Sequence, residues 1–118
     1  KKFCKKKNNY FFIKSFGRKY YFSMLKNVDC VFGNSSSGII EVPSFKTSTI
    51  NIGTRQKGRE LSKSVINCDY NQKQIINSIN KIYSKSFQIL LKKNINIFYK
   101  KNTSNNIIKK IKSFLINE

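Results

Sequence analysis

Gly33 to Glu41, read GNSSSGIIE, brings three serine hydroxyls, two glycines and a carboxylate into one short stretch. Ahead of it Val28-Asp29-Cys30-Val31-Phe32 is an apolar run that suits a buried strand. Behind it Ile39, Ile40 and Val42 suit the buried side of a helix that Pro43 ends or kinks. A strand is therefore expected to enter a Gly-Asn-Ser-Ser-Ser-Gly turn, and the turn to open a helix. The first backbone N–H groups of a helix lack intrahelical partners, and the helix dipole favours an anion there. Serine hydroxyls add donors and glycines let a ligand come close to the backbone. That chemistry suits a phosphate or diphosphate. The same residues also make an ordinary helix N-cap, and from this stretch alone both readings stand.

Gly53 to Gly58, read GTRQKG, is a second candidate. Its glycine spacing approaches a nucleotide-binding P-loop, but Arg59-Glu60 stands where that loop needs Lys-Ser/Thr. No hydroxyl is then placed for Mg²⁺, and the P-loop is excluded. Arg55 instead offers a planar fork that matches a diphosphate. The alternative is a surface salt bridge, for which the chain supplies few acids: 5 Asp+Glu against 24 Lys+Arg.

GNSSSGIIEVPSFKTSTINIGTRQKGRE, Gly33 to Glu60, resembles the signature of the UDP-N-acetylglucosamine 2-epimerase family, most of all its hydrolysing, sialic-acid-pathway type. Phe11 to Gly38 fits the segment leading into that signature, and Asn102-Thr103-Ser104 resembles the family's closing pattern without its glycine. The resemblance implies that Ser35, Ser36, Ser37 and Arg55 bind the UDP diphosphate and that Glu41 accepts hydrogen bonds from the ribose. It gives Asn34, Gly38, Arg59 and Arg18 supporting places, and sets Ser15 to Arg18 near the uracil. Gln56 and Lys57 match the signature without an assigned role. The implied fold is the C-terminal half of a two-domain glycosyltransferase-B-type protein, with a UDP-sugar in the cleft between Rossmann-like halves. The implied reaction eliminates UDP to a glycal and hydrates it to the 2-epimer, with no metal or redox cofactor. The family's acid and base carboxylates and its histidine lie upstream of this region. No catalytic residue is therefore expected in this chain, which reads as a C-terminal fragment or a degraded copy, with a homo-oligomer possible for the full-length protein.

The elements that must position these groups follow from spacing. Lys1 to Asn9 is basic and expected to be a loose edge, with residues 10–118 forming the nucleotide-binding half. Tyr10 to Ile13 suits a short strand, and Tyr20, Tyr21, Met24 and Leu25 give helical spacing within Arg18 to Asn27. Thr49 to Ile52 and Ser64 to Cys68 read as further strands. Ile75, Ile76, Ile79, Ile82 and Tyr83 mark one helix, and Phe87, Leu90 and Leu91 another. Ile107, Ile108, Ile111, Phe114 and Leu115 mark a last helix with lysines opposite; it also reads as a basic membrane-surface helix, but packing on the domain is the expectation. Strands alternating with helices imply an α/β, Rossmann-like parallel sheet with helices on both faces. Ligands of such sheets bind beyond the carboxyl ends of the strands, the edge the serine turn and the Arg55 loop should share.

The net charge is +19, which ordinarily points to nucleic acid or an anionic membrane. The chain has no Ala, Trp or His and is rich in Lys, Asn, Ile and Phe, the composition of A+T-rich codons. Its lysines are spread along the chain, so neither a specific nucleic acid nor a membrane is expected as a partner. A basic nucleic-acid-binding module and a nucleotide-sugar glycosyltransferase half are the other function classes considered. The first accounts for the charge but not for the serine turn, Glu41 or the arginine loop. Cys4, Cys30 and Cys68 have no metal-ligand spacing and no His to complete a zinc site. Scattered thiols suit a reducing cytoplasm.

Overall fold

The computed structural model describes residues 2–5 and 8–116. Its centre is a parallel sheet of β1 (Cys30–Gly33), β2 (Ser48–Ile52) and β3 (Val65–Cys68), in the order β1-β2-β3. Val31 pairs in register with Thr49, and Thr49 with Val65. Successive side chains of β2 point to opposite faces, which divides the molecule into layers. Ile50, 1% exposed, packs with Cys68, Ile82, Phe87 and Leu91 under helices α4 (Gln72–Tyr83) and α5 (Lys85–Lys92). Thr49 faces the other way, where its Oγ1 donates to the Gly38 carbonyl at 2.7 Å and holds the one-turn helix α3 (Ser37–Ile40). Both faces of the parallel sheet are covered, the Rossmann-like α/β arrangement expected.

Local chemistry sets the ends of these elements. The Asn71 side chain accepts from the Lys73 and Gln74 amides and caps α4, and Ser84 Oγ accepts from the Phe87 amide and caps α5. Strands β1 and β2 both leave through glycines with positive φ, Gly33 at 148° and Gly53 at 73°, a conformation costly for other residues. Buried polar groups stitch the loops at the opposite edge. Thr47 Oγ1 donates to the Leu25 carbonyl, joining helix α2 (Gly17–Leu25) to the entry of β2, and Ser48 Oγ donates to the Asp29 carbonyl. Asn94 donates to the Pro43 carbonyl and Asn96 to the Ile40 carbonyl, so the segment after α5 is tied to the serine-turn region. Cys68 lies in the core and Cys30 packs against it, and burial pushes the Cys30 thiol pKa above its ordinary value.

Two expectations are corrected, the strand at Tyr10–Ile13 and the packing of the last helix on the domain. Tyr10–Ile13 forms no strand; it is irregular, and its side chains are exposed. As expected of Pro43, the helix opened by the serine turn ends before it, after a single turn, and gives way to a 3₁₀ turn over Val42–Phe45. Pro43 has no N–H to return to the Ile39 carbonyl, so the helix cannot run through it. Within the basic start, Lys2–Lys5 forms a helical turn, α1; Lys1, Lys6 and Lys7 lie outside the described residues. Helix α6 (Thr103–Leu115) has the expected amphipathic period but no buried residue, with Ile107 54% and Phe114 65% exposed. Periodicity identifies an apolar face without saying what covers it. The Cα radius of gyration is 17.9 Å, against about 13–14 Å for a compact chain of this length.

The contact between α3 and β2 predicts a stability effect. A Cβ added at Gly38 would stand 2.8 Å from Thr49 Cγ2, and Thr49 is itself buried and bonded to the Gly38 carbonyl. Gly38→Ala is expected to lower unfolding free energy by about 1–3 kcal/mol, the usual cost of overpacking, measured by urea denaturation. A midpoint equal to wild type would contradict this packing.

Candidate functional site

Two loops meet at the carboxyl edge of the sheet. The first runs from Gly33 through the serine turn, and the second is the Gly53–Glu60 segment after β2. Gln56, 5% exposed, joins them: its Nε2 donates 2.8 Å to the Asn34 carbonyl. Because Gln56 follows Arg55, this bond sets the arginine loop beside the serine turn. The shared edge is thus realised, through a residue to which sequence reasoning gave no role. No signal in the sequence marks it, because its partner lies 22 residues away in the chain.

Within the turn the serines differ. Ser35 and Ser36 are exposed, and Ser35 Oγ accepts from the Ser37 amide at 3.3 Å. The Ser37 hydroxyl turns the other way, donating to Glu41 Oε2 at 2.5 Å and lying 2.6 Å from the Tyr21 hydroxyl. Its side chain therefore belongs with Glu41, one turn further along the helix, and not with the exposed hydroxyls at the tip. Gly38 is buried beneath the turn, where its missing side chain makes room for Thr49.

Glu41 opens on a cleft of about 420 Å³ lined by Ser15, Phe16, Gly17, Arg18, Tyr21 and Phe22. Helix α2 supplies most of this wall, and Gly17, with φ 62°, turns the chain into it. The Arg18 guanidinium lies 5.5 Å from the centroid of the Phe22 ring, which in turn packs on Phe45 at 5.2 Å. The cleft so combines a carboxylate acceptor, a cation and aromatic faces, groups that suit a nucleoside. The structure thus brings Ser37, Glu41 and Arg18 together, and joins Asn34 to the arginine loop. Arg55 is exposed on that loop.

Arg59 falls elsewhere. With Lys57 and Gln56 it lines a second cavity of about 300 Å³ at the ends of β2 and β3, walled also by Asn51, Asn67 and Asp69. Asn51 Nδ2 donates to Asn67 Oδ1 at 2.7 Å across the strand pair. Arg59 therefore stands apart from the Glu41 cleft.

Known proteins add their own testimony to this geometry. The family described as UDP-N-acetylglucosamine 2-epimerase matches residues 1–112. Polysialic acid biosynthesis protein P7 of Escherichia coli is 39% identical over 115 residues, covering 98% of this chain and 29% of that protein. The GDP/UDP-N,N'-diacetylbacillosamine 2-epimerase (hydrolyzing) of Campylobacter jejuni is 43% identical over 72 residues, 61% of this chain and 18% of its own length. The UDP-N-acetylglucosamine 2-epimerase of Neisseria meningitidis is 41% identical over 61 residues, 52% of this chain and 16% of its own. This chain spans less than a third of the length of each. With a match across nearly all its residues, the parallel α/β fold and the serine turn in place, the chain belongs to the UDP-N-acetylglucosamine 2-epimerase family.

Proposed function

We propose that this chain is the UDP-binding, C-terminal half of a hydrolysing 2-epimerase acting on UDP-N-acetylglucosamine or a related UDP-2-acetamido sugar. The observation that carries the reading is the convergence at one sheet edge. A carboxylate-bearing cleft lies on one side of the serine turn, and the loop of Arg55 is tied to the other side by Gln56. In this reading the nucleoside enters the cleft of Phe16, Arg18 and Glu41. The exposed hydroxyls of Ser35 and Ser36 and the Arg55 guanidinium meet the diphosphate. The single turn of α3 adds little dipole, so the hydroxyls and the arginine supply most of the anion binding. The names of the relatives place them in bacillosamine, N-acetylglucosamine and polysialic acid chemistry, which supports an acetamido sugar beyond the diphosphate and a role in surface-sugar synthesis.

The reaction follows from the bonds that must change. A base removes the proton at sugar carbon 2 and the bond from carbon 1 to the diphosphate oxygen breaks, giving UDP and a glycal. Water then adds, its hydroxyl to carbon 1 and a proton to the opposite face of carbon 2. Residues of this half bind the leaving group and neutralise its charge. The acid and base belong to a second domain that closes the cleft, against which the apolar face of α6 and the exposed Phe11–Ile13 segment would be buried. The setting is the cytoplasm, where nucleotide sugars are made.

Chemical-shift titration with UDP tests this reading: perturbations should centre on residues 15–22, 34–41 and 53–56. Shifts confined to other surfaces would exclude it. The +19 charge favours a second reading, nucleic-acid binding, against which the UDP reading makes a distinct prediction. Binding to DNA or RNA should be unselective and fall away by moderate salt, as counterion release alone dictates. Gel-shift competition at increasing ionic strength checks this, and retention of one sequence at high salt would favour the nucleic-acid module.

A further inference from the structure

We propose that Tyr21 is a positioning residue that sets the Glu41 carboxylate through Ser37, and so makes this site read the ribose of its nucleotide. The inference rests on the UDP reading for its ligand, but the bond chain is a property of the protein itself. Its direction follows from chemistry. An ionised carboxylate only accepts, so the short contact from Ser37 Oγ to Glu41 Oε2 uses the single serine proton. Ser37 Oγ must then accept from its other neighbour, and the Tyr21 hydroxyl, 2.6 Å away, donates. The order is Tyr21 to Ser37 to Glu41, linking helix α2 to α3 across a gap of 16 residues for the first bond.

Each member is only partly buried, so the relay lies at the wall of the cleft and not in the core. The Ser37 amide is bonded to Ser35 Oγ, which fixes the backbone from which the relay hangs. Glu41 Oε2 is thereby committed to the protein, leaving Oε1 for the ligand. A single oriented oxygen can accept from two neighbouring hydroxyls, the arrangement that the 2′ and 3′ positions of a ribose present. Glutamate carries several free torsions, and holding one oxygen removes most of that freedom before the ligand arrives. Without the relay, the carboxylate is free to turn toward the Arg18 guanidinium, which lines the same cleft. That pairing would withdraw the acceptor from the ribose.

Tyr21→Phe removes one hydroxyl and keeps the ring. It is expected to weaken UDP binding about five- to tenfold, the worth of one neutral hydrogen bond. Pyrophosphate affinity should be unchanged, and the preference for UDP over its 2′,3′-dideoxy analogue should fall toward one. In a Glu41→Gln background, Tyr21→Phe should add no further loss, since the group it orients is already gone. Equal weakening of UDP and pyrophosphate, or full additivity with Glu41→Gln, would overturn the relay and leave Tyr21 with a packing role. A ligand-free measurement separates this from failure of the UDP reading. The carboxyl ¹³C signal of Glu41 should shift in Tyr21→Phe and again in Ser37→Ala. An unchanged signal in both variants refutes the relay whatever the ligand is. A shifted signal without any UDP preference in wild type keeps the relay and rejects UDP.

Discussion

The purified 118-residue chain is expected to release no UDP from UDP-N-acetylglucosamine above the blank in a coupled assay. Elimination needs a base at sugar carbon 2 and an acid for the leaving side, and the chain has no histidine and five acids. Asp29 precedes β1, at the opposite edge of the sheet from the serine turn, and bonds the Tyr83 hydroxyl. That bond to Asp29 holds the Tyr83 phenol pKa above its ordinary value. Asp69 lines the second cavity, apart from the Glu41 cleft, and Glu60 lies on the exposed loop beside it. Glu41 is at the cleft but already accepts from Ser37. Glu118 lies outside the described residues. A positioned acid or base contributes roughly 10²–10⁴ in rate, so a half-site missing both should fall below detection. Saturable release that tracks the purified protein would contradict this and place the catalytic groups among these residues.

The second large effect is at Arg55. With one wall of the cleft, the chain should bind UDP weakly, near the millimolar range, about −4 kcal/mol. Each charge-assisted hydrogen bond to the diphosphate contributes roughly 1.5–3 kcal/mol, so Arg55→Ala should abolish most detectable binding. Arg55→Lys keeps the charge but loses the planar fork, and should fall between the two. Calorimetric competition or shift titration of the three proteins measures this. Undiminished UDP binding by Arg55→Ala would remove the loop from the site.

Most of the layer arrangement was legible because it rests on local periodicity. Val28–Phe32, Thr49–Ile52 and Ser64–Cys68 each carry a short apolar run, and β1, β2 and β3 lie within a residue or two of those bounds. The 3.6-residue period over Ile75 to Tyr83 marked α4 for the same reason. What escaped were contacts between residues distant in the chain. No spacing rule announces that Gln56 closes on the Asn34 carbonyl, or that Tyr21 reaches Ser37. Nor does any spacing rule announce that Thr49 packs where a side chain at Gly38 would stand. Tyr10–Ile13 has strand composition and no neighbouring strand, and α6 has a helical stripe and no covering surface. In both cases composition states a preference that only a partner can realise.

The central claim is that the serine turn and Glu41 hold a ribonucleotide diphosphate, and one titration tests it most directly. Wild type and Glu41→Gln are compared with UDP and with inorganic pyrophosphate by chemical shift. Glutamine keeps the shape but not the charged acceptor, so UDP should weaken while pyrophosphate, which has no ribose, binds as before. Equal weakening of both ligands, or no change in either, would contradict the assignment and leave the serine turn as a helix cap.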